Sequence, residues 1–207
     1  MLLANALSDL FGWLEDFSGS GWFLLIIFVI AYLDSVIPVV PSETMVIIGG
    51  VAAGQGEQHL LLVIAAGAVG AFFGDNTAYL LGARMSGYIN RRAEERPNWR
   101  RRLDWATEQI HTRGGPLLVT ARFIPGGRTA LTVSCGITHQ SRPWFVGWVT
   151  IAVIIWATYA AVLGYVFGDN FDHTTALLLA FGAALAVNLL IEGVRHLRAR
   201  RAGPHED

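Results

Sequence analysis

Arg122-Phe123-Ile124-Pro125-Gly126-Gly127-Arg128 is the stretch on which the reading of this chain turns. It lies inside an otherwise apolar run, 116–137, and sets one guanidinium on each side of a Pro-Gly-Gly interruption. Proline lacks the amide donor and its ring clashes with the preceding turn, so a helix does not pass through such a point unbroken. Freed backbone amides beside two planar, permanently charged forks suit an anion, because a phosphate or carboxylate can take paired hydrogen bonds from each fork. Thr129 and Thr132 add hydroxyl donors just beyond the break. The competing reading, arginines that reach out to the membrane interface, fits Arg142 better than these two.

Working outward, the surroundings are those of a membrane. Of 207 residues, 53% are hydrophobic and only 15% charged, against about 25% charged in a soluble domain. A spanning helix needs roughly 20 apolar residues. The segment 60–83 meets that and carries Asp75 inside it; 144–167 and 173–194 meet it too. The segment 22–33 runs into Asp34, Pro38 and Pro41, and the apolar stretch that follows, 45–53, is too short to cross. Its Gly49, Gly50 and Gly54 fit a tightly packed re-entrant hairpin. Residues 34–56 and 115–138 are therefore read as two broken hairpins within one transmembrane domain, 20–196. An amphipathic interfacial helix, 1–17, precedes it and a tail, 197–207, follows. Residues 84–113 are read as a loop plus an amphipathic surface helix.

The hairpins look related. Ile37-Pro38 and Ile124-Pro125 share a dipeptide, Gly49 and Gly136 follow at matching distances, and each hairpin precedes a span with Tyr-x-x-Gly, Tyr79 to Gly82 and Tyr165 to Gly168. The expected fold is an all-α polytopic membrane protein: an inverted repeat of two re-entrant broken-helix hairpins, each followed by a transmembrane helix, plus flanking helices.

Charge placement orients the chain. All 15 basic residues are arginine, more than half of them between 84 and 113, with four more in 195–201. Beside apolar spans this is the positive-inside pattern, not a nucleic-acid footprint, and it puts the loop, the tail and the N-terminus in the cytoplasm. The segment 22–33 then runs outward, opposite to 60–83. One cysteine, Cys135, excludes an internal disulfide and reads as a packed thiol. The histidines are scattered without metal-ligand spacing.

Asp34 and Glu43 bracket the first pair of prolines. A charge at the bilayer centre costs about 2.5–3.5 kcal/mol on insertion scales, so it has a partner or a function. Arg122 and Arg128 are the natural counter-charges. Asp75 either completes the carboxylate set or satisfies backbone freed by a hairpin.

Asp34-Ser35-Val36-Ile37-Pro38-Val39-Val40-Pro41-Ser42-Glu43, Gly74-Asp75-Asn76 with Tyr79 and Gly82, and the Arg-Phe-Ile-Pro-Gly-Gly-Arg element resemble the DedA (SNARE-associated or VTT-type) family over about residues 20–170. Asp34 stands where that family more often has Glu, and Ala78 where it has Gly. The resemblance implies that Asp34, Glu43, Arg122 and Arg128 are functional. It also implies lipid translocation in the bacterial cytoplasmic membrane: return of undecaprenyl phosphate or a related anionic phospholipid, with coupling to the proton motive force. Two other classes stay open, a proton-coupled exporter of small solutes and a membrane lipid phosphatase. The phosphatase needs a nucleophilic His that the Trp148-Val149 region does not supply. The expectation is a transporter and not an enzyme. It would have no cofactor beyond coupled protons. Its partners would be an anionic lipid and the bilayer, with a homo-oligomer allowed.

Overall fold

The computed structural model describes residues 20–37, 42–95, 114–123, 127–172 and 175–186, with single positions between 100 and 112. Among these, all regular structure is helical. The helices are α1 (Gly21–Val36), α2 (Ser42–Gly54), α3 (Leu60–Glu95), α4 (Pro116–Thr120), which tightens into a 3-10 turn over Ala121–Phe123, α5 (Gly127–Ile137), α6 (Arg142–Asn170) and α7 (Thr175–Ala186). The two interruptions expected from the prolines separate α1 from α2 and the 3-10 turn from α5. Pro38, Pro41, Pro125 and Gly126 themselves lie outside the described residues, as do the 1–17 helix and the 197–207 tail, while Gly127 opens α5.

Among the described residues, two helices are long and apolar enough to cross a membrane, α3 over Leu60–Ile89 and α6 over Arg142–Asn170. At 30 and 29 residues, each reaches about 45 Å, well beyond a hydrocarbon core of roughly 30 Å. The expected loop at 84–113 starts later than the sequence suggested, because α3 continues to Glu95. Nothing in 84–95 is a proline, and Ala, Met, Arg and Glu are good helix formers; the stop comes with Pro97 just beyond the end.

Helix direction follows from which residues meet. On α1, Phe23, Ile27, Ala31 and Ser35 form a buried stripe at a spacing of four. A Cβ at Gly70 of α3 would collide with the Phe28 carbonyl, and one at Gly74 with the Tyr32 carbonyl. The Tyr32 and Thr77 hydroxyls are 3.3 Å apart. Positions rise together, so α1 runs parallel to α3. This overturns the expectation that 22–33 runs opposite to 60–83. The reason is the break: α2 turns back and delivers the chain to its starting level, where the Gln58 amide donates to the Ser20 carbonyl at 2.9 Å. The first helix–break–helix unit therefore begins at Gly21, not near residue 34.

The remaining pairs build two columns. Beside the first half of α3 lies α1; beside its second half lies α5, where Gly82 meets the Val133 carbonyl and Gly136 meets the Tyr79 carbonyl. Beside the second half of α6 lies α2, with Gly50 against the Ala161 carbonyl, Gly54 against that of Tyr165, Gly164 against that of Ile47 and Gly168 against that of Val51. The α4 segment packs on the first half of α6, Gly115 against the Trp148 ring and Arg122 against that of Trp156. Each long helix thus carries a two-piece column with one piece from either half of the chain. Since α2 is antiparallel to α3 (Val46 near Gly67, Val63 near Gly49) and parallel to α6, the long helices run in opposite directions.

The glycine contacts also correct the register expected from the sequence for the two hairpins. Gly54 and Gly136 occupy like places, each against the carbonyl of a Tyr-x-x-Gly tyrosine, whereas Gly49 faces Ile27 and Val63. The limb after the first break, 13 residues against 11, is longer, so the matching distance from the Ile-Pro dipeptides was misleading. Cys135 is fully buried, as a packed thiol should be.

Candidate functional site

Asp75 stands at the middle of the apolar stretch of α3, and Trp156 at the middle of α6. The junctions of both columns meet at this level. In the first column the C-terminal end of α1 abuts the N-terminal end of α5. Arg128, the second residue of α5, donates from Nη2 to the Asp34 main-chain carbonyl at 2.7 Å and pairs with the Asp34 carboxylate at 3.1 Å. Its Nε lies 3.9 Å from Asp75 Oδ1. Thr129 donates to the Ser35 carbonyl at 3.4 Å. The last carbonyls of a helix have no intrahelical donor, and here α5 supplies two.

In the second column the 3-10 turn and the start of α2 reach the same level of α6, Arg122 at Trp156 and Glu43 near Tyr159. Arg122 pairs through Nη1 with Asp75 Oδ2 at 2.5 Å, and the two side chains are 2% and 1% exposed. The guanidinium carbon sits 5.3 Å from the centre of the Trp156 ring. Among the described residues, its buried Nε and Nη2 meet no hydrogen-bond acceptor. Ser42 opens α2 and donates to the Asp34 carboxylate, which ties the two columns together. Glu43 follows in the first turn of α2, one carboxylate oxygen buried, within electrostatic reach of Tyr159 on α6.

The residues singled out in the sequence therefore converge, though not in equal roles. Asp34, Asp75, Arg122 and Arg128 form one linked ion cluster with Glu43 on the adjoining helix turn. Asp75 is the partner of Arg122. Thr129 serves the α1 terminus, and Thr132 is wholly buried on α5. Ser42, Trp156 and Tyr159 were missed. Ser42 had a signal in its place between proline and glutamate; an aromatic in an apolar span had none.

Residues 40–166 match the VTT domain family. The uncharacterized membrane protein Rv0364 of Mycobacterium tuberculosis is 25% identical over 188 residues, 87% of this chain and 83% of its own length. Protein DedA of Escherichia coli K12 is 25% identical over 188 residues, 86% of this chain and 85% of its own. The uncharacterized membrane protein YkoX of Bacillus subtilis is 25% identical over 202 residues, 91% and 85%. A relative from Lactococcus lactis, 24% identical over 166 residues and covering 76% of each chain, bears the name alkaline phosphatase-like protein. No solved structure matches. With the family's domain spanning most of the helical body and the motif residues gathered at one level of it, the chain belongs to the VTT-domain (DedA) family of bacterial membrane proteins.

Proposed function

We propose that this protein carries an anionic lipid, undecaprenyl phosphate or a related phospholipid, across the bacterial cytoplasmic membrane, and that it works as a transporter and not as an enzyme. One observation carries the reading: Arg122, 2% exposed, keeps Nε and Nη2 buried without an acceptor at mid-height of two membrane-length helices. A buried charged donor left unmade costs more than an ordinary polar group, so the site favours an incoming anion. Opposed long helices flanked by pieces from either half support an inverted repeat with re-entrant hairpins meeting at the midplane.

Charge supports proton coupling. The site holds Arg122 and Arg128 against Asp34, Asp75 and Glu43. An added phosphate deepens a negative excess in a poorly solvated place, which is unfavourable unless a proton enters with it. Glu43, at the edge of the cluster, is the natural acceptor of that proton.

With the 84–113 arginines cytoplasmic, α3 runs inward and Ser20, level with Gln58, faces outside. The expected cytoplasmic N-terminus falls on residues 1–19, which lie outside the described residues. An Arg100→Cys variant in a Cys135→Ser background checks the loop: it should resist an outside-only thiol reagent in intact cells, and labelling there reverses the orientation.

The decisive assay is translocation of undecaprenyl phosphate by purified protein in liposomes, with a phosphatidylcholine analogue as control. Arg122→Lys should insert and fold but lose at least about tenfold in transport, because an ammonium lacks the planar fork and a charge-assisted hydrogen bond contributes about 1.5–3 kcal/mol. Arg142→Lys should behave like the parent. Unimpaired transport by Arg122→Lys removes the phosphate-binding assignment.

A further inference from the structure

The guanidinium of Arg122 is constrained on three sides. Nη1 is taken by Asp75. Its Cζ lies over the Trp156 ring, 5.3 Å from the centroid. The side chain is almost fully enclosed. What stays uncommitted is Nε and Nη2, and in a planar guanidinium these two N–H groups point the same way along one edge. Two parallel donors match two oxygens on a single phosphorus or carbon; a hydroxyl or a halide fills only one of them.

Arg128 offers no such edge. Its Nη2 is shared between the Asp34 carbonyl and carboxylate, and its Nε faces Asp75. The two arginines therefore divide the work.

Resting on the transport reading above, we propose that the Nε–Nη2 edge of Arg122 is the oxyanion receptor, that Trp156 is the residue positioning it, and that Arg128 is a clamp on α1. A cation held over an indole face keeps its plane fixed, and the attraction strengthens where water is excluded. A ring at this place lets Arg122 present one edge to a phosphate monoester while Asp75 holds a corner. Without the ring the guanidinium can rotate, bring both edges onto Asp75 and withdraw from the ligand.

The test uses the full-length protein in nanodiscs, with farnesyl phosphate as probe and farnesol as its uncharged control, binding read by calorimetry. Trp156→Leu should weaken farnesyl phosphate binding about tenfold and Trp156→Phe less, in line with the ranking of aromatic rings as cation partners. Transport at saturating lipid should be unchanged, so that apparent KM moves and maximal rate does not. In an Arg122→Lys background the Trp156→Leu penalty should vanish, since the edge it orients is gone. Trp22→Phe, at a ring exposed to the surroundings, is the control. If Trp156→Leu unfolds, Trp156→Phe with recorded melting carries the comparison. Trp156 variants that bind like the parent, or penalties that add in the double variant, overturn the positioning role alone. A parent protein that binds farnesyl phosphate no better than farnesol removes the lipid-phosphate reading and this inference with it.

Discussion

The two column junctions carry the same kinds of residue in opposite electrical settings. Where the 3-10 turn meets α2, charge follows the helix dipoles: Arg122 is at a C-terminal end and Glu43 in a first turn, each in its favoured place. Where α1 meets α5, charge opposes them: Asp34 sits near a C-terminus and Arg128 near an N-terminus. Those two are held by each other, at 3.1 Å, and by the Asp34 main-chain carbonyl that Arg128 caps. One junction is self-paired and closed. The other has its charges stabilised by backbone and keeps donors uncommitted. On the proposed transport reading, the two junctions divide the labour, a brace on one side and a receptor on the other.

The sharpest way to break this comparison is to remove a charge from each junction. Arg128→Ala strips one partner from a partly buried pair, so its cost should approach the roughly 3–5 kcal/mol of a fully buried one and appear as a fall in melting temperature or loss of inserted protein. Glu43→Gln should leave melting nearly unchanged and abolish the proton uptake proposed to accompany binding, read from binding enthalpies in two buffers of different ionisation heat. Equal destabilisation by both variants would erase the distinction between brace and receptor.

A smaller effect tests the seams that hold the columns. The α2–α6 seam has four glycines in backbone contact, the α3–α5 seam two, with Ala78 and Thr132 buried alongside. Gly50→Ala should push α2 off the Ala161 carbonyl at about 1–3 kcal/mol, the range for overpacking, seen as a lower melting temperature. Ala78→Gly, in the other seam, should cost only about 1 kcal/mol in the same measurement, the loss of helix propensity.

The smallest effect lies at the turns closing the two limbs. After α2 the left-handed residue is Gly56, φ 82°, and the Glu57 amide reaches back to Ala52; after α5 it is His139, φ 51°, and the Gln140 amide reaches back to Cys135. A side chain in that region costs about 1–2 kcal/mol relative to glycine. His139→Gly should therefore raise the melting temperature by a few degrees with transport intact; a fall would mean that the imidazole has contacts worth more than the strain.

Much of this was legible in the chain. Prolines inside apolar runs marked the breaks, and charges that hydrocarbon does not tolerate marked the site. What stayed hidden was three-dimensional reciprocity. Asp75 meets Arg122 only because α4 packs on α6 while α5 packs on α3. The direction of α1 depended on whether α2 crosses or returns, and 13 residues between two turn signals fit either course until Gln58 is seen at Ser20. Gly49 and Gly54 look equally suited to a seam; the tyrosine carbonyl chooses Gly54.

The brace at α1 also has a consequence for how the chain is made. The donor that caps Asp34 arrives 94 residues after it. At ordinary synthesis rates that is roughly 5–20 seconds in which α1, α2 and α3 occupy the translocation machinery or the nascent bilayer with polar carbonyls awaiting a partner. Ribosome pacing across the 84–113 arginines, or an insertase that shelters the first half, would thus govern yield more than equilibrium stability does. The halves made as separate polypeptides should accumulate only when expressed together.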